Sequence, residues 1–186
     1  MKSSRKALAA AGAAIGAIAV VLTAALPASA STQRGGGNAS FESIDGFLAG
    51  PGALSNSPVV RLQLSGAVNA RGSINLGGNA MVSPIPTFAG TLAVAHGNPR
   101  PSVRVNYMTC QETSTISTPY TVLGRLSSGA FSGAQGDGRA LVVFSAVLPR
   151  YTFGPHRGRC NFMARPEPFG ASISFHAQGP LFLRHR

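Results

Sequence analysis

Val60-Arg61-Leu62-Gln63-Leu64 alternates apolar and polar side chains. A backbone whose successive side chains point to opposite faces is a β-strand with one face buried. The same period of two returns in Val103-Arg104-Val105-Asn106-Tyr107 and in Ile173-Ser174-Phe175-His176-Ala177. Phe88, Gly90, Leu92 and Val94 share a parity, and Tyr120 to Leu123 and the apolar run Leu141 to Leu148 read as further strands. Pieces near 68–76 and 160–163 bring the set to roughly seven to nine, enough to close a small barrel or fill two sandwich sheets. After Phe41 no long window carries the 3.6-residue period of a helix. Gly77-Gly78, Gly97-Asn98-Pro99 and Gly136-Asp137-Gly138 supply turn chemistry between strands, and Asp137-Gly138 ahead of the run at 139–148 is the strongest hairpin signal. The expected fold is all-β, a small antiparallel barrel or a β-sandwich, which periodicity does not separate.

Composition and the N-terminal segment set the limits around that reading. The chain has 186 residues, of which 44% are apolar and 11% charged. That balance excludes charge-driven disorder and long coiled coils, and the length suits one ordinary domain. Lys2, Arg5 and Lys6 precede an apolar run from Ala7 to Leu26, followed by Pro27 and Ala28-Ser29-Ala30. This is the three-part pattern of a secretory signal peptide over 1–30, cut after Ala30, and it predicts a secreted, extracellular product. The rival, an uncleaved anchor, is weakened by the richness of the run in Ala and Gly, so no stable membrane insertion is expected after cleavage. Residues 31–40, with Gly35-Gly36-Gly37, form a flexible leader, and 41–186 form the barrel domain. Asn38-Ala39-Ser40 in that leader matches a glycosylation acceptor.

Few residues carry recognisable chemistry. Cys110 ends one predicted strand and Cys160 begins another, so a single disulfide is expected in an exported chain. Beyond residue 30 every basic residue is arginine, thirteen against five acids, a net charge of +8. Such a charge attracts polyanions without reading sequence, so no specific nucleic acid partner is implied. The arginines concentrate only at Arg150, Arg157, Arg159 and Arg165, with Tyr151, Phe153 and Phe162 interleaved. These form a candidate polyanion-binding group, or else a solvated connection between strands. His96, His156, His176 and His185 lack the spacing of a metal site, although His96 and His176 occupy strand positions and could converge. No cofactor motif appears: Gly133-Ala134-Gln135-Gly136 leads into a strand where a phosphate loop needs a helix, and no serine-nucleophile elbow is present. Glu42, Asp45, Glu112, Asp137 and Glu167 offer no frame for paired-carboxylate catalysis.

Tyr120-Thr121-Val122-Leu123-Gly124, then Gly129-Ala130-Phe131-Ser132-Gly133-Ala134-Gln135-Gly136-Asp137-Gly138 and a following strand, resembles the Gly-rich hairpin of the allene oxide cyclase and dirigent barrels. It is similar also to hairpins of small secreted bacterial proteins of unknown function. Leu126-Ser127-Ser128 stands where that pattern has Gly-Thr-Gly, and the stretch from Gly124 to Phe131 is longer. The resemblance implies an eight-stranded antiparallel barrel with an apolar interior, in keeping with the strand count, so the expected fold is a single antiparallel β-barrel of about eight strands, with a β-sandwich as the alternative. It transfers no catalytic residue, because fold does not carry function.

The expected function is that of a non-catalytic, secreted, single-domain binding protein, taking an apolar small ligand in its lumen or a partner at its surface. Gly90, Ala93, Ala95 and Ala146 are small enough to leave a lumenal cavity, or equally to let the sheet close tightly. The alternatives are an isomerase- or cyclase-like enzyme, which needs a polar cluster in that lumen, and a basic surface adhesin for an extracellular polyanion, which needs its arginines on one face.

Overall fold

The structure, a computed structural model, describes residues 39–77 and 80–184. The expected signal peptide, the leader up to Asn38, Gly78 and His185 lie outside the described residues. Nine strands follow in chain order: β1 (Ala39–Ala49), β2 (Val59–Ser65), β3 (Ala70–Asn75), β4 (Val82–Thr87), β5 (Gly90–His96), β6 (Ser102–Asn106), β7 (Gln111–Val122), β8 (Gln135–Val147) and β9 (Ser172–Phe182). β1 thus begins two residues ahead of the expected domain boundary. Among the described residues the only helical structure is three single 3-10 turns, at Pro51–Leu54, Gly129–Phe131 and Pro168–Gly170.

All pairings are antiparallel, and the strands run β5-β4-β3-β2-β1-β9-β8-β7-β6. The ends of this order meet through β5 and β7, where Val94 faces Val122, Ala95 faces Thr121 and His96 faces Tyr120. The result is a closed eight-stranded barrel with β6 outside it. The exclusion of β6 follows from the length of β7. β8 occupies one edge of β7 from Gln111 to Thr121. On the other edge the first five residues, Gln111–Thr115, bond β6, and the last three, Tyr120–Val122, bond β5. The β7–β8 connection extends the seam, since Leu123, Ser128 and Ala130 donate N–H groups to the carbonyls of Ala93, Thr91 and Ala89.

The inward residues are those the alternation names. β2 buries Val60, Leu62 and Leu64 and exposes the residues between them; β9 buries Ile173, Phe175, Ala177 and Leu181. With Ile44, Ile74, Ile85, Leu92 and Val122 these form one continuous core. Each fully buried aliphatic side chain contributes about 1.5–3 kcal/mol. Cys110 and Cys160 are bonded, with their Cα atoms 5.3 Å apart. The bond ties the start of β7 to the long β8–β9 connection.

Several local expectations are overturned. Phe88 does not share the β5 alternation; it lies in the β4–β5 turn and is 89% exposed. Residues 160–163 form no strand, and Cys160 makes only an isolated bridge with Arg150. Asp137-Gly138 is no turn. Both residues sit within β8, and the hairpin reverses over 123–134 instead. Gly138 is there for close approach: a Cβ on it would lie 2.6 Å from the Tyr120 ring and 2.3 Å from the Gln178 carbonyl oxygen. The strands of Tyr120 and Leu141 are nonetheless neighbours, as the hairpin reading required.

Candidate functional site

The barrel interior is not filled throughout. A cavity of about 340 Å³ opens where β3, β5 and the connections after them end, with Asn75, Ala80, Gly97 and Asn98 at its rim. Its walls are mainly aliphatic and aromatic: Ile44, Ile74, Ile85, Val94, Val142 and Phe175. The volume lies at the lower end of the range for small-molecule sites. Room for it comes from Ala140 and Ala177, cross-strand partners on β8 and β9 that both line the cavity. The small residues singled out from sequence do not supply it. β5 turns Leu92, Val94 and His96 inward, so Ala93 and Ala95 face outward, and Ala93 is covered by the connection after β7, where its N–H meets the Ser127 hydroxyl oxygen at 3.0 Å. Gly90 and Ala146 are likewise absent from the lining.

Four polar side chains stand among the apolar walls: Ser83, His96, Thr118 and Tyr120. Ser83 on β4 and His96 on β5 bond each other, Oγ to Nε2, at 2.9 Å. The opposite ring nitrogen, Nδ1, lies 2.8 Å from the Gly97 carbonyl oxygen. A carbonyl only accepts, so Nδ1 carries the proton; in the neutral ring Nε2 is then the acceptor and Ser83 the donor. The Thr118 hydroxyl donates to the Pro119 carbonyl at 3.2 Å. Tyr120 lies on the β7–β8 side with its ring over Gly138. Burial first, and then the charges of Glu42 and Asp137, push its phenol up to about 12, so it stays protonated.

Below the cavity Glu42 is 2% exposed. Its Oε2 accepts the Val68 N–H at 3.2 Å, and Oε1 has no partner among the described residues. Burial raises its pKa, opposed by hydrogen bonds from the Val68 and Ala67 amides. The carboxylate therefore caps the β2–β3 turn from inside the barrel, at the cost of an unmatched oxygen.

The basic group is partly dispersed. Arg150, Arg157, Arg159 and Arg165 all lie exposed in the β8–β9 connection. Arg150 is committed to the chain itself: its guanidinium donates to the Gly158 carbonyl at 2.5 Å and to the Met108 carbonyl. That bond brings it beside Arg157 and Arg159, which flank Gly158; among the described residues no such bond ties Arg165 to them. His96 and His176 do not converge. Phe175 and Ala177 are buried, so His176 faces outward, where its Nδ1 meets Asp45 Oδ1 at 2.5 Å. Among the described residues no three His, Cys, Asp or Glu side chains form a metal-ligand group.

Sequence reading missed Ser83, Thr118 and Glu42 as interior residues. β1 and β4, which carry Glu42 and Ser83, gave no clean alternation; Pro84 and Pro86 interrupt one and Gly46 the other. Comparison with family models, with curated proteins and with solved structures finds no match to this chain.

Proposed function

We propose that this protein is a secreted binding protein whose barrel lumen takes an apolar small molecule. The observation that carries the reading is the 340 Å³ cavity, open at one end and walled mainly by aliphatic side chains. An apolar pocket of this kind gains from displacing poorly hydrogen-bonded water, and a few polar groups then set orientation. The Cys110–Cys160 bond is compatible with export, as is the absence, among the described residues, of a helix long and apolar enough to cross a membrane. The decisive experiment is fluorescence titration with the neutral apolar probe N-phenyl-1-naphthylamine. Saturable binding to the wild type is expected, with loss in Ala140→Leu and, separately, in Ala177→Leu, each checked for an unchanged circular dichroism spectrum. Equal probe binding by folded variants with the cavity filled would place the probe elsewhere and end the reading.

A second reading, adhesion to an extracellular polyanion, draws support from Arg157, Arg159 and Arg165, which are exposed and, among the described residues, have no acidic partner. Replacing these three by Ser should reduce the salt dependence of binding to an acidic polysaccharide, since the slope follows the number of neutralised charges. An equal loss on replacing Arg61, Arg71 and Arg104 would mean diffuse charge only.

A further inference from the structure

We infer that the lumen selects a neutral apolar molecule carrying a hydroxyl group, which donates its hydrogen bond to Ser83. The inference rests on the lumenal reading above and adds the polarity of the ligand. Its basis is the direction of one chain of hydrogen bonds. The Gly97 carbonyl fixes a proton on His96 Nδ1 at 2.8 Å, which in the neutral ring leaves Nε2 to accept the Ser83 hydroxyl hydrogen at 2.9 Å. The only proton on Ser83 Oγ is then engaged, and what the oxygen can still offer is lone pairs. The β4–β5 wall of the cavity is thus an acceptor. A ligand ether or ketone oxygen placed there would meet lone pairs with lone pairs, whereas a hydroxyl completes the chain.

Tyr120 has the opposite character. Its phenol stays protonated, and among the described residues its hydroxyl makes no hydrogen bond, so the β7–β8 wall has a donor for any oxygen of the ligand. No arginine lines the cavity. With His96 neutral, a carboxylate head would therefore enter an apolar lumen without a fixed cation, which opposes its burial. The fitting class is an uncharged alcohol on an apolar skeleton, with a second, accepting oxygen tolerated toward Tyr120.

The test is displacement of N-phenyl-1-naphthylamine by a matched series: nonane, 1-nonanol, its isomer methyl octyl ether, and nonanoate. For the wild type, 1-nonanol should compete about fivefold better than the ether, the size expected for one net hydrogen bond, and nonanoate should compete no better than nonane. Ser83→Ala should remove the advantage of alcohol over ether and leave nonane unchanged. His96→Leu takes away the acceptor that holds the Ser83 hydrogen, and should turn Ser83 into a donor and bring the ether level with the alcohol. Tyr120→Phe should weaken both oxygen ligands alike and keep their ratio. If nonane and nonanol both displace the probe with equal strength from the wild type, or Ser83→Ala keeps the alcohol preference, the inference is overturned while lumenal binding stands. If no member of the series displaces the probe, the lumenal reading falls and this inference falls with it.

Discussion

β2 and β6 carry the same sequence pattern and meet different fates. In β2, Val60 and Leu64 are 0% exposed and lie under the closed sheet. In β6, Val103 is 52% exposed although it alternates with Arg104 just as Leu62 alternates with Arg61. The difference lies in their neighbours. β2 is bonded on both edges, by β1 and β3, and has a barrel interior to face. β6 is bonded only by the upper half of β7, outside the seam that β5 closes. Alternation therefore specifies an extended backbone with two unlike faces; whether one face is buried depends on which strands pair beside it and whether they close over it.

The comparison can be broken first at the disulfide, which holds the β6–β7 tip to the β8–β9 connection. Replacing Cys110 and Cys160 together by Ala should cost about 4 kcal/mol, the loop-closure figure for a bridge of this span. Denaturant unfolding measures the loss, and retention of full stability would mean that the outer hairpin is held by its other contacts. Next comes the barrel strand itself. Leu64→Ala should cost about 2–5 kcal/mol, because the closed sheet cannot collapse onto the vacancy. A third, smaller effect concerns Glu42 beside β2. Its folded-state pKa is raised, so its proton is held more tightly in the native state, and the protein should lose stability as pH rises above the ordinary value of 4.5. Glu42→Gln should flatten that decline, leaving a weaker slope of the same sign from Glu112, which burial also raises. A decline of equal steepness in the variant would move the effect elsewhere. Smallest of all, Val103→Ala in β6 should change stability by less than about 0.5 kcal/mol, the usual bound for exposed positions; a loss rivalling that of Leu64→Ala would show that β6 has a buried face after all.

How much of this was legible in the sequence follows the same division. The all-β class, six of the eight barrel strands and the Cys110–Cys160 bond could be read, because period-two alternation and cysteine placement are local signals; closure into a barrel rather than a sandwich, and the pairing of the Tyr120 and Leu141 strands, followed only from the hairpin resemblance. β1 and β4 could not. Gly46 is small because Val60 and Leu62 fold over it, and Pro84 and Pro86 sit in a strand whose ladder pairing with β3 is the single register pair Gly72–Thr87. Both are tertiary reasons with no local trace. Asp137-Gly138 misled for the same cause: its glycine answers to the Tyr120 ring rather than to a turn. The site suffered most. Ser83 and His96 are 13 residues apart, and only the β4–β5 register, together with closure of the barrel, makes them a pair facing a cavity.

Barrel closure normally leaves no strand edge exposed, and β6 restores one. Among the described residues its outer edge, Ser102–Asn106, has no strand beside it, and an unpaired row of N–H and C=O groups is a template for a second chain. Three features blunt it: the strand is only five residues long, Pro99 and Pro101 precede it, and Arg104 stands at its centre. Long-range repulsion between copies adds to these, since each carries a large positive charge, but salt screens that repulsion within about 8 Å at physiological ionic strength. Any self-association by edge-to-edge pairing would thus begin at a strand that contributes little to the core.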